Sequence, residues 1–192
     1  MKRIKHLLLL LAHYMDNDYY YYSHSELIKR AENWLYSNSH HRNRYKSNIV
    51  FRELVTWCRE TPDLLGWVRG CVSTVLIEVK ISRADFLADK KKFHRKITSD
   101  KAIGGMGNFR FYCCPYEMIR ESEVSPSWGL LYLSKTGKSI KLVKPAEYQK
   151  SNIKEEYKFL LSVIRRFKAT ATINGTDFRD YLNYKDRRII IK

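Results

Sequence analysis

Cysteine, proline and glycine are all scarce in this chain. Its 192 residues hold 4 Cys, 4 Pro and 8 Gly. So little glycine and proline excludes collagen-like and low-complexity architectures, and 44% hydrophobic with 14% aromatic residues excludes wholesale disorder. The cysteines, Cys58, Cys71, Cys113 and Cys114, form no C-x-x-C pair and have no histidine at zinc spacing. That argues against a structural zinc site and a disulfide framework, and for a reducing compartment. Residues 7–12 are apolar behind a basic start, but the run is too short to cross a bilayer and no A-x-A cleavage site follows. A packed or surface helix is expected there, with a true start at Met15 as the alternative. Acidic residues are also few: 20 Asp plus Glu against 36 Lys plus Arg, a formal charge of +16. An excess of that size favours a polyanionic partner, nucleic acid or an acidic membrane surface.

No repeat, linker-like tract or composition boundary divides the chain, and its length suits one domain with appendages. Residues 19–22 are four tyrosines, read as an aromatic lead into the first helix or as a base-stacking surface. From Ser23, Leu27, Ile28, Ala31, Trp34 and Leu35 recur at helical spacing, and Ser23 with Glu26 forms a capping box. Residues 38–47 read as a basic loop carrying Arg42 and Arg44. Residues 49–57 and 63–68 are extended candidates. Residues 74–81 are the clearest strand, with Val75, Ile77, Val79 and Ile81 on one face and Thr74, Leu76, Glu78 and Lys80 on the other. A helix over 83–96 follows, with Ser82 and Asp85 as a second capping box and a basic second half that includes Lys90, Lys91 and Lys92. Residues 109–114 read as a strand, and residues 128–143 as a hairpin turning at 135–138. A C-terminal helix over 153–168 lines Tyr157, Leu160, Leu161, Ile164 and Phe167 along one side, and a short helix is expected after Thr176.

The chemistry is concentrated in Pro62-Asp63, a gap of fourteen residues, and Glu78-Val79-Lys80. Glu78 and Lys80 are two apart on one strand and so leave the same face. If the segment opened by Asp63 pairs with that strand, its carboxylate approaches Glu78. Two carboxylates with a backbone carbonyl suit a hard divalent cation, and a lysine beside them can orient water and neutralise charge on a phosphate.

Pro-Asp, a strand-sized gap and Glu-x-Lys leading into a helix resemble the PD-(D/E)XK nuclease superfamily. The longer string IEVKISRADFLADKK, with GNFRFYCCP and WGLLYL later on, resembles the MmcB-like DNA-repair nucleases of bacterial and mobile-element origin. The resemblance covers residues 23–143. It implies an α/β fold: a restriction-endonuclease-like core with a mixed β-sheet flanked by helices, plus a C-terminal helix. By that resemblance Asp63 and Glu78 are metal ligands, Val79 supplies a carbonyl, Lys80 is the catalytic lysine, and Glu26 is the first-helix acid. The implied cofactor is Mg²⁺, or Mn²⁺. The implied activity is hydrolysis of DNA phosphodiester bonds in repair or in phage and mobile-element biology, with RNA not separated from DNA.

On this reading residues 1–22 are an extension, 23–145 the nuclease core, and 146–192 a helical extension packed on it. Ser82, Arg83, Lys90, Lys91, Lys92, Arg42 and Arg44 are the expected nucleic-acid contacts. No membrane association and a cytoplasmic location are expected, and a homodimer is compatible with the sequence. Each assignment has a plainer rival. Asp63, Glu78 and Lys80 could form a solvated ion-pair cluster on an exposed sheet face. Glu26 and Ser82 are accounted for by capping, Asp85 by pairing with Ser82, and the lysines by the helix dipole. Glu53 and Glu60 read as surface carboxylates. The rival function is a nucleic-acid-binding module of the same fold without catalysis.

Overall fold

The period-two alternation of residues 74–79 makes them a strand whose two faces are both covered, and the rest of the molecule is arranged around it. The computed structural model describes residues 22–37, 44–68, 70, 73–92 and 105–166, and the backbone of 172–173 and 176–177. In chain order the elements are α1 (His24–Tyr36), β1 (Ser47–Arg52), β2 (Leu64–Val68), β3 (Thr74–Val79), α2 (Arg83–Asp89), β4 (Phe109–Pro115), a 3-10 turn at Glu121–Glu123, β5 (Gly129–Leu133), β6 (Ile140–Lys144) and α3 (Ile153–Arg166). A separate two-stranded ribbon pairs β7 (Thr172–Ile173) with β8 (Thr176–Asp177). The helix expected after Thr176 falls beyond the described residues, apart from that strand.

β1 to β6 form one six-stranded sheet in sequence order. β1, β2 and β3 are antiparallel, β3, β4 and β5 are parallel, and β6 returns antiparallel to β5. The fold is therefore mixed α/β, with helices on both faces and a helix after the sheet, consistent with a restriction-endonuclease-like core. α1 begins with the expected capping box at Ser23 and Glu26, and it buries Leu27, Ile28, Ala31, Trp34 and Leu35. These pack with Leu64, Val75, Ile77, Val79, Phe111 and Cys113 on one sheet face. The other face carries Leu65, Leu76, Tyr112 and Leu130 against Phe86 of α2 and Phe159 of α3. Burial pushes the Cys113 thiol well above its ordinary range and that of Cys114 up to about 12, so both remain neutral core groups.

Several boundaries differ from the sequence expectation. The central strand ends at Val79, leaving Ile81 partly exposed beyond it. β1 ends at Arg52, not near Trp57. α2 ends at Asp89, so Lys90, Lys91 and Lys92 lie in the turn after the helix.

α3 is rotated from the expected orientation. Its buried side is Glu155, Glu156, Phe159, Ser162 and Val163, while Tyr157, Leu161 and Ile164 are exposed. Two carboxylates cause this. Glu156 Oε1 accepts from Thr74 Oγ1 at 2.8 Å and from the Gly107 N–H at 2.9 Å, and Glu155 Oε2 accepts from the Arg59 N–H at 3.0 Å. Satisfying those buried donors holds the acidic side inward at the expense of the apolar stripe.

Gly129 shows how closely β4 and β5 approach. A Cβ there would collide with the ring of fully buried Phe111. Gly129→Ala is expected to cost about 1–3 kcal/mol by overpacking. The measurement is a lower urea midpoint with an unchanged slope.

Candidate functional site

The register of the β2–β3 pair decides what the candidate residues can do together. Leu64 stands opposite Ile77, so one step further places Asp63 beside Glu78 at the end of the pair. The Asp63 carboxylate stands where the next backbone acceptor of β2 would be: its Oδ2 accepts the Val79 N–H at 2.7 Å. N–H and C=O of one strand residue point to the same side, so the Val79 carbonyl also faces the Asp63 side. The next amide, that of Lys80, turns the other way and donates to Cys113 O of β4 at 2.8 Å.

Glu78 and Lys80 leave the opposite sheet face from Ile77 and Val79, toward α2. Both are buried, at 2% and 4% exposure, which excludes the solvated cluster on an exposed face. Lys80 Nζ lies 3.2 Å from Glu78 Oε2, 3.4 Å from Asp89 Oδ1 and 3.8 Å from Asp85 Oδ2. Burial pulls the ammonium pKa down, but the carboxylates of Glu78, Asp89, Asp85 and Asp63 outweigh it and leave it raised. Asp89 is itself fully buried, accepting from Tyr112 OH at 2.9 Å and pairing with Lys92 at 2.6 Å. Among the described residues four carboxylates therefore gather around Lys80, an acid-rich spot in a protein whose formal charge is +16.

Asp63 is only partly exposed. Burial raises its pKa, against the Val79 amide and the charges of His24 and Lys80, which lower it. His24, in the first turn of α1, stands between two acids: Nε2 is 3.6 Å from Asp63 Oδ2 and Nδ1 is 3.7 Å from Glu53 Oε1. Glu53 has φ +46°, the left-handed region, and its N–H donates to Asp63 O at 2.9 Å. The β1–β2 connection is thus fastened to the residue that opens β2.

The remaining candidates each have a definite setting in the protein. Glu26 is exposed and its carboxylate accepts from the Ser23 N–H at 2.9 Å and Ser23 Oγ at 2.8 Å, which lowers its pKa. The structure thus places Glu26 in the cap of α1. Ser82 caps α2 through the Asp85 N–H, yet the Asp85 carboxylate turns to Lys80, so the second capping box is only half formed. Glu60 is buried, not a surface acid, and accepts from the Met106 N–H at 2.7 Å. Arg83 forms a two-pronged pair with Glu123 and also donates to Met118 O at 2.9 Å; this pairing holds the Glu123 carboxyl down at about 2. Lys90 donates to Glu123 O at 2.8 Å, whereas Lys91 is exposed. Arg44 donates to Tyr45 OH and to Ala146 O, each at 2.8 Å, and lies over the Tyr45 and Phe109 rings. Arg83, Lys90, Lys92 and Arg44 are therefore engaged with the protein. Arg42 lies outside the described residues.

Sequence reasoning missed Asp89 and His24. Asp89 had a readable signal: it is four residues after Asp85, which puts both acids on one helix face. His24 had none, because its relation to Asp63 exists only once α1 crosses the end of the β2–β3 pair. Among the described residues no group of three or more His, Cys, Asp and Glu side chains is arranged to hold a metal ion. The donor set of Asp63, Glu78 and the Val79 carbonyl is all oxygen, the ligand type that hard divalent cations take. No helix of the described residues is long and apolar enough to cross a membrane.

No family model matches the chain, and no curated protein does. Among solved structures it is similar to a protein of unknown function from Silicibacter pomeroyi, with 23% identity over 71% of this chain and 82% of that one and a TM-score of 0.44.

Proposed function

We propose that the chain is a Mg²⁺- or Mn²⁺-dependent nuclease of the PD-(D/E)XK type, acting on DNA phosphodiester bonds. The observation that carries this reading is the burial of Glu78 and Lys80, 3.2 Å apart, at the end of the central strand, with Asp63 opposite in register. Burying two charges costs several kcal/mol each, and a well-packed apolar pair would serve the fold as well or better. A charged group kept in such a place, beside an acid whose pKa is perturbed, favours chemistry.

Asp63, Glu78 and the Val79 carbonyl would hold the cation, which when bound supplies Lewis acidity and a more acidic water. Lys80 presents an ammonium that stays charged at neutral pH, suited to placing a water and to neutralising charge that grows on the phosphate. Asp89 and Asp85 fix the position of that ammonium. A basic chain draws the polyanion to the site, where the acids are gathered.

The test is incubation of the purified protein with plasmid and with single-stranded DNA, in Mg²⁺, in Mn²⁺ and in EDTA. Cleavage in either metal that stops in EDTA is expected. Binding with a steep salt dependence but no cutting in either metal would replace this reading with a non-catalytic binding module.

A further inference from the structure

Three of the four tryptophans are core residues: Trp34, Trp67 and Trp128 are 6%, 8% and 4% exposed. Trp57 is 93% exposed. It sits in the β1–β2 connection, six residues before Asp63, and an extended chain of that length reaches at most about 20 Å. The segment around it is held on both sides. Arg166 of α3 donates to Val55 O, and the Cys58 N–H donates to Thr56 Oγ1 at 3.2 Å. Cys58 Sγ donates to Glu155 O at 3.2 Å, and the Arg59 N–H to Glu155 Oε2 at 3.0 Å. The backbone is thus tied before and after Trp57, yet the indole itself projects into solvent.

A large aromatic held out on a fastened backbone is pre-organised to bind, since little is left to order when a partner arrives. Cations stand beside it: Arg59, two residues on, is exposed, and exposed Arg166 reaches Val55 O from the end of α3, within a chain of charge +16. The nearby Glu155 carboxylate is taken up by the Arg59 N–H and Lys158. An aromatic face among cations matches single-stranded nucleic acid, whose unpaired bases offer π-faces and whose backbone is anionic. In a duplex those faces are already stacked.

We infer that Trp57 is a stacking platform for an unpaired nucleobase, so that the substrate of the proposed site is single-stranded nucleic acid or nucleic acid with unpaired bases. This deepens the nuclease reading and rests on it only for the word substrate.

The test is done in EDTA, so that no cleavage enters. The full chain is titrated with a short oligothymidylate and, separately, with a blunt duplex, following tryptophan emission and affinity. The single strand is expected to quench the exposed indole, and the duplex to bind without that quenching. Trp57→Ala should lose the quenching and weaken single-strand binding by about ten- to hundred-fold. Trp57→Phe should lose the signal but keep most of the affinity, which a merely structural role for the indole would not produce.

Wild-type affinity in Trp57→Ala overturns the inference. So does concentration-dependent self-association without DNA that Trp57→Ala abolishes, which would assign the indole to a contact between copies. Failure here with metal-dependent plasmid cutting intact leaves the nuclease reading standing. Stacking without cutting in any metal removes the nuclease reading and keeps the platform.

Discussion

Asp63→Asn is expected to abolish metal-dependent cleavage, by about a thousand-fold or more, in a protein that stays folded. Loss of an ion ligand removes several kcal/mol of transition-state stabilisation, and about 4 kcal/mol corresponds to a thousand-fold. The fold should tolerate the change, because the asparagine oxygen can still accept the Val79 N–H that Asp63 accepts at 2.7 Å. Burial raises the Asp63 pKa, so without metal the ionised carboxylate is a net cost to folding above the ordinary aspartate range. Acidification through the raised pKa relieves that cost, and an asparagine relieves it at every pH. A metal-free melt of Asp63→Asn should therefore match or exceed wild type at neutral pH while plasmid nicking disappears. Wild-type nicking by this variant would remove Asp63 from the site and with it the cation.

Lys80→Met is expected to do the opposite to stability. The ammonium it removes lies 3.2 Å from Glu78 and 3.4 Å from Asp89, both buried. Breaking a buried pair on one side leaves uncompensated charge and costs about 3–5 kcal/mol. In a chain of this size that lowers the melting temperature by about 10 °C. Combining it with Glu78→Gln should recover part of the loss, and the double-mutant cycle reads the coupling directly.

The pH dependence follows from the raised Lys80 pKa, in which Glu78, Asp89 and Asp85 overcome the effect of burial. The stability that the ammonium contributes is complete below the pKa of an unfolded lysine. It is lost as pH climbs through the higher folded value, so wild type should weaken in strongly alkaline solution by this route and Lys80→Met should not. Denaturant midpoints against pH separate the two proteins. Cleavage by Lys80→Met is measured well below its melting temperature, where its loss reports the missing ammonium and not unfolding.

Local pattern was enough for several elements. The Ser23–Glu26 box and the stripe from Leu27 to Leu35 defined α1 and its buried side, and both appear as read. The alternation in 74–81 located β3, which stops two residues earlier at Val79, and the turn between β5 and β6 lies where residues 135–138 placed it. Asp63, Glu78 and Lys80 were selected from spacing and from resemblance, and β2–β3 pairing brings the first two into adjacent register.

What periodicity supplies is the set of residues sharing one face of one element; it carries no term for what covers that face. α3 makes the point. Its apolar spacing pointed Tyr157, Leu161 and Ile164 inward, but the donors on Thr74, Gly107 and Arg59 draw Glu155 and Glu156 to the interior. The same holds at the end of β3, where one face could have been a solvated ion-pair surface. Only the arrival of α2, with Asp85 and Asp89 closing over Lys80, buries it. The chain by itself determined its basic character, its capped first helix, its central strand and the trio of charged residues. Tertiary structure alone decided that Glu78 and Lys80 are desolvated, that Asp89 and His24 join them and Asp63, and that Arg83, Lys90, Lys92 and Arg44 have partners within the protein. Those outcomes depend on contacts between residues distant in the chain, and on whether water is excluded there, which no spacing along a single segment encodes.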